Sequence, residues 1–201
     1  MKELIFLEYP EMKDKITIVK NTERIYSLGN RYKAVTQYCK EDEIVIDLDA
    51  DDELIGCQVI KIFNMMYQSK RNVWLAYSNH LTYDDGLRHP MIGISRLLEP
   101  EYFSKHTLRL HNFTMHNLRS FSRRLFMKID EKYFKNENGS FYRWVADSFI
   151  YFALAEMAGP ERIVLTEELV EKYQPSRIMT NVTQKKNDAF IAKGAKPFKQ
   201  L

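Results

Sequence analysis

Cysteine is scarce: Cys39 and Cys57 are the only two among 201 residues. They lack metal-ligand spacing and cannot build a disulfide framework, so we read both as free thiols of a cytoplasmic protein. Net charge is also small, at +3, too little to argue for a nucleic-acid partner. No apolar run approaches the roughly 20 residues of a membrane span. The opening MKELIFLEYPEM has a short apolar run but no small-residue cleavage site, which argues against a signal peptide. There is no internal repeat and no low-complexity tract. What is present is a 45% apolar, 13% aromatic chain, the composition of a packed globular protein. Its length suits one domain plus an extension. We place the domain at 1–175 and a lysine-rich extended tail at 176–201, carrying Lys185, Lys186, Lys193, Lys196 and Lys199.

The chain is organised around EIVIDLDADDEL, residues 43–54. Ile44, Val45, Ile46 and Leu48 suit a buried strand of a parallel sheet. Asp47, Asp49, Asp51 and Asp52 then crowd its carboxyl end, where ligands of open α/β folds bind. Carboxylates that close repel one another unless a cation sits among them. Hard oxygen ligands favour Mg²⁺, Mn²⁺ or Ca²⁺ over zinc.

Around that strand the periodicity alternates. Leu4 to Leu7, Ile16 to Val19, Ile44 to Leu48 and Val73 to Tyr77 read as strands. Ile25, Leu28, Tyr32, Val35 and Tyr38 recur at helical spacing, interrupted by Gly29, and Val59 to Tyr67 carry a second apolar stripe. The β-α-β-α-β order over 16–77 predicts a parallel sheet with crossover helices. Tyr83 to Gly86 and Asn136 to Ser140 are turn signals, and His89 to Pro100 is irregular. Leu118, Phe121, Leu125 and Phe126 fit an amphipathic helix bearing Arg119, Arg123, Arg124 and Lys128. Trp144 to Met157 is a strong helix ended by Gly159 and Pro160. Ile163 to Leu165 is a short strand, and Leu169 to Tyr173 a strand or short helix.

Three chemistries compete for the acids. An EF-hand needs Gly at its sixth position and Glu at its twelfth; here Asp52 and Gln58 stand there, after a strand, which excludes it. A haloacid-dehalogenase-like phosphatase would use Asp47 and Asp49, then a downstream lysine and an acidic pair such as Asp84-Asp85. A nucleotide-sugar glycosyltransferase would use Asp49-Ala50-Asp51 as a DxD site, whose divalent cation neutralises the leaving diphosphate.

NRYKAVTQYCKEDEIVIDLDADDEL, NVWLAYSNH, LRSFSRRLFMKI and ADSFIYFALAEMAGPERIVLTEELVEKY, in that order, resemble the GT-A-type, family 2-like glycosyltransferases with LDGDDWL, LRTF and EMAG motifs. The resemblance runs from about Asn30 to Tyr173. It implies a GT-A-like, mostly parallel sheet flanked by helices, with an abbreviated N-terminal part. It implies a metal-dependent, inverting transferase of hexosyltransferase type, with a UDP-sugar as donor and a glycan, protein or lipid acceptor. By position, Asp49 and Asp51 fall on the Mn²⁺ or Mg²⁺ motif and Asp52 on the acid after it. Ala50 replaces a glycine and Glu53 a tryptophan. Asn30 falls on an asparagine that opens the helix before the metal strand. Arg119 lies in the LRTF-like segment and is placed against the donor. Asp147 falls on the acceptor's base, with Ala146 where a glutamate is usual. Asn117 stands where a histidine is expected, with His116 one place off.

Such domains spend two strands and two helices on the nucleoside before this point, whereas fewer than 30 residues precede Asn30 here. Glu8 is the one candidate for a nucleoside contact. A truncated copy, a partner chain completing that half, or weak donor binding would each account for this. The alternative function is therefore a catalytically impaired GT-A-like scaffold or interaction module, for which an exposed sheet edge would offer a route to a partner chain or oligomer.

Helical geometry adds one constraint. Asp147 and Glu156 are nine residues apart, so at about 100° per residue they lie on opposite faces. Asp147 belongs to the pocket and Glu156 to the structure. Arg123 and Arg124 read as a solvated face, the histidines as loop residues, and Tyr151 as helix packing. Trp144 reads equally as core or as a wall of the acceptor site.

Overall fold

The computed structural model describes residues 9–69, 72–83, 90–116, 118–173 and 182–201. The chain is α/β, a mixed sheet flanked by helices. A 3-10 turn at Pro10–Met12 leads to α1 (Tyr26–Tyr38), β1 (Ile44–Asp47), β2 (Glu53–Leu54) and α2 (Val59–Gln68). Next come β3 (Leu75–Thr82), β4 (Met91–Gly93), the short α3 (Pro100–Ser104), β5 (Arg119–Ser122) and α4 (Arg123–Phe126). The chain continues with α5 (Ala146–Ala158), β6 (Ile163–Tyr173) and α6 (Val182–Gly194).

The strand order is β1-β5-β3-β6-β2, with β4 also on β3. The sheet is not mostly parallel. β1, β3 and β6 point the same way, but β5 runs antiparallel between β1 and β3, and β2 and β4 oppose their neighbours. Among the described residues only β3 and β6 pair in parallel, through a register shift near Asn79.

Alternation along the strands sorts side chains between two cores. Leu75 and Tyr77 of β3 and Phe121 of β5 join the large core beneath α5. Ala76 faces a smaller core with Val59 and Phe63 of α2. Val45 lies on the α5 side of β1 and Ile46 on the α2 side. The same alternation puts Asp47 and Arg119 on the α5 side, where they sit opposite each other across the β1–β5 ladder.

α5 is buried continuously from Phe149 to Ala158, as a helix apolar on every side must be. It ends as its sequence predicts: Gly159 takes φ 74°, its N–H donates to the Ala155 carbonyl, and Pro160 follows. α1 is held at both ends. Gly29 lets Phe141 pack close, since a Cβ there would lie 2.8 Å from its ring. At the other end the Arg123 guanidinium donates to the Val35 and Thr36 carbonyls, which the helix leaves without intrahelical donors.

Several expectations change. The helix over Leu118 to Phe126 is a strand followed by one helical turn, because Arg119–Ser122 pairs with strands on both sides and the ladders satisfy its backbone groups. Arg123 caps α1 and is no solvated residue, whereas Arg124 is exposed beside Asp42. Among the described residues Ile16 to Val19 pairs with no strand, and the segment is irregular. Met91–Gly93 pairs with β3, and Ile163 to Tyr173 is one long strand. The extended tail gives way to α6, after which the Leu201 N–H donates to the Met157 carbonyl of α5. The strand at Leu4 to Leu7, Glu8, the Asp84-Asp85 pair, His89 and Asn117 lie outside the described residues.

Candidate functional site

A cleft of about 890 Å³ opens where the carboxyl end of β1 meets the N-terminal ends of α1 and α5. Asn30, Asp49 and Asp147 line it together, although they come from three separate segments. Asp51 is exposed in the turn after β1 and does not line the cleft. Asp52 is buried, its N–H bonded to the Asp49 carbonyl. Its charge acts on His80, whose ring centroid lies 5.3 Å from that of His116. Burial lowers the pKa of both histidines. Arg119 lies beneath the cleft, 5% exposed.

The centre of the cluster is Arg31, which the sequence did not single out. On α1 it stands one turn beyond Ser27, whose hydroxyl accepts from its Nη1. Its Nε donates to Asp47 Oδ1 at 2.9 Å and its Nη2 to Asp49 Oδ1 at 2.8 Å. Nη1 lies 3.5 Å from Asp147 Oδ1. Arg31 is 15% exposed at its side chain. Burial works to lower its pKa, but Asp47, Asp147, Tyr151 and Asp49 outweigh it and hold the guanidinium charged.

Arg119 is the second cation. Its Nη2 donates to Asp147 Oδ2 at 3.1 Å, its Nη1 lies 3.0 Å from Oδ1, and its guanidinium sits 4.6 Å from the Tyr151 ring centroid. Tyr151 stands one turn after Asp147, on the same face of α5, and its hydroxyl donates to Asp47 Oδ2 at 2.9 Å. It is therefore part of the polar cluster as well as helix packing. Three carboxylates and two guanidiniums thus alternate, with Tyr151 closing the chain. Burial alone would raise the pKa of Asp147; Arg119 and Arg31 reverse this and hold it below the ordinary carboxylate range. At Asp49 burial wins over Arg31 and the pKa is raised.

The mouth of the cleft is cationic and aromatic. The Arg24 and Arg143 guanidiniums lie 5.4 and 5.5 Å from the Tyr26 ring centroid, and Arg143 is 4.7 Å from that of Trp144. Trp144 lines the cleft, while its backbone N–H is held by Asp188 of α6. Tyr26 and Val145, which lead into the two helices at the cleft, have φ of 57° and 53°. Such conformations cost a non-glycine residue roughly 1–3 kcal/mol and concentrate at binding sites. Glu156, as its spacing required, is on the other side of α5, gripped by Arg109 at 2.7 Å through both oxygens.

A Mg²⁺ or Mn²⁺ site needs convergent carboxylate oxygens with lone pairs to spare. Here Asp47 is bonded by Arg31 and Tyr151, Asp49 by Arg31 and Asp147 by Arg119. Among the described residues no three His, Cys, Asp or Glu side chains group to hold a metal ion. As arranged, this donor set does not fit a divalent cation, and no step below is drawn through one.

No family model and no curated protein matches the chain. Among the described residues no helix is long and apolar enough to cross a membrane.

Arg31 and the Arg24–Tyr26–Arg143 cluster were missed because no local pattern marks them. Arg31 looks like any helix-surface arginine, and its partners stand 16 and 18 residues further on. The one available signal was the charge deficit of the acidic cluster, which demands a cation without saying which.

Proposed function

We propose that this chain is a GT-A-like glycosyltransferase that moves a hexose from a nucleoside-diphosphate sugar, UDP-linked in the simplest case, to an acceptor hydroxyl. The observation that carries the reading is the shared cleft: the strand-end carboxylate Asp49 and the helix-start carboxylate Asp147 line one cavity of about 890 Å³. That volume falls within the range of small-ligand sites. The Arg24 and Arg143 guanidiniums suit the diphosphate, and Tyr26 and Trp144 offer flat faces to base or sugar. In the transfer, the acceptor oxygen bonds to the anomeric carbon as the carbon–oxygen bond to the diphosphate breaks. The hydroxyl proton passes to a base, and Asp147 is the cleft carboxylate at the start of α5. Attack from the face opposite the diphosphate inverts the carbon.

The guanidiniums that hold Asp147 make it a weak base, so it takes the proton late, when the hydroxyl has become acidic through bond formation. The test is Asp147→Asn, which keeps shape and removes basicity. Transfer or hydrolysis of a UDP-sugar should fall by on the order of 10²-fold with UDP affinity nearly unchanged in calorimetry. Normal turnover, or loss of UDP affinity instead, would move Asp147 out of the role of base.

A second reading is a sugar-nucleotide-binding scaffold without turnover. It is favoured by the way Arg31 and Arg119 already satisfy Asp47, Asp49 and Asp147. UDP binding with no hydrolysis, from a self-associating chain in light scattering, would select it. A monomer that hydrolyses UDP-sugar would eliminate it.

A further inference from the structure

We propose that Arg31 stands where a divalent cation would, and that its guanidinium closes the carboxylates of Asp47, Asp49 and Asp147 to Mg²⁺ and Mn²⁺. The cluster solves its own charge problem. Carboxylates this close must take up protons or find positive charge, and a planar guanidinium bonded to Asp47 and Asp49 while facing Asp147 supplies it in fixed geometry. A metal ion approaching Asp49 would meet the like charge of Arg31, whose Nη2 is held 2.8 Å from Oδ1, and would have to share the carboxylate with it.

The helix that carries Arg31 is held in place: Phe141 packs on Gly29 two residues earlier, Arg123 donates to the last carbonyls of the same helix, and the Ser27 hydroxyl accepts from Nη1. Asp51, the other half of the DxD pattern, is exposed and does not line the cleft. The pattern therefore survives in sequence without the chelate it spells. A ligand's diphosphate would be met at the cleft mouth by Arg24 and Arg143, with no bridging ion.

The inference goes beyond the transferase reading, and its test uses the metal ion alone, so failure of one is distinguishable from failure of the other. Titrate the full chain with Mn²⁺, following free Mn²⁺ by electron paramagnetic resonance. The wild type should show no saturable one-to-one uptake up to about 1 mM, a concentration at which even weak dedicated sites for hard divalent cations fill. Arg31→Met, which strips the cation from the cluster, should take up one Mn²⁺ per chain at least about tenfold more tightly. Adding Asp49→Asn to that variant should abolish the gain. Arg31→Gln carries the same expectation with a gentler change, should the methionine variant not fold. One-to-one uptake by the wild type that Asp49→Asn removes would overturn the proposal. So would a folded Arg31→Met or Arg31→Gln that gains no affinity for Mn²⁺.

Discussion

Replacing Arg31 with methionine keeps most of the aliphatic stem and deletes the guanidinium. Asp47, 14% exposed at its side chain, would keep the Tyr151 hydroxyl but lose its charged partner. Asp49 and Asp147 are 41% and 36% exposed, so water can take over part of what the guanidinium did for them. Stripping one partner from a fully buried ion pair costs about 3–5 kcal/mol. Discounting the two half-exposed carboxylates for solvent screening leaves a loss of about 2–3 kcal/mol. In a domain of this size that lowers Tm by about 4–12 °C. The assay is urea unfolding with a parallel thermal scan, with an unchanged m-value confirming that only stability moved.

The pH dependence follows from the cluster. The folded-state pKa of Asp147 lies below its unfolded value because of Arg119 and Arg31. Its contribution to stability is therefore present above the unfolded pKa and lost as pH falls through the folded one. The deficit of Arg31→Met should accordingly be full at neutral pH and shrink below about pH 4 as Asp147 protonates. For Asp49 the sign is opposite: its raised pKa means that ionisation opposes folding above the unfolded value. Asp49→Asn should thus cost little at pH 7. A loss under about 0.5 kcal/mol in Arg31→Met, the scatter of ordinary surface changes, would refute the claim that its guanidinium neutralises the cluster.

Two further outcomes follow from other parts of the molecule. Arg143→Ala should weaken UDP binding about tenfold and reduce its salt dependence, since a charge-assisted phosphate contact at an exposed rim is screened by ions; calorimetry at two salt concentrations reads this, and unchanged affinity places the diphosphate elsewhere. Glu156→Leu strands the Arg109 guanidinium, which Glu156 grips while also accepting the Phe198 N–H; urea melts should show a loss of about 3–5 kcal/mol, largely recovered in the Arg109→Met/Glu156→Leu double variant.

The sequence by itself determined the local elements whose periodicity is strong. The apolar stripes of α1 and α2, the β-branched run of β1 and the largely apolar helix α5 with its Gly159-Pro160 stop were all legible. Helix and strand periods and capping chemistry are properties of neighbouring residues. The opposition of Asp147 and Glu156 across α5 was legible for the same reason. What only the tertiary structure decided was everything that depends on a partner distant in the chain. Leu118, Phe121, Leu125 and Phe126 keep a helical spacing, yet β5 is a strand because β1 and β3 leave a slot that its backbone fills. Ile16 to Val19 has strand composition, yet among the described residues it pairs with no strand and is irregular. The four aspartates announced an excess of negative charge. That the compensating cation is Arg31, fixed on a helix by Phe141 and Arg123, follows from packing between segments, and no spacing within the acidic motif encodes it.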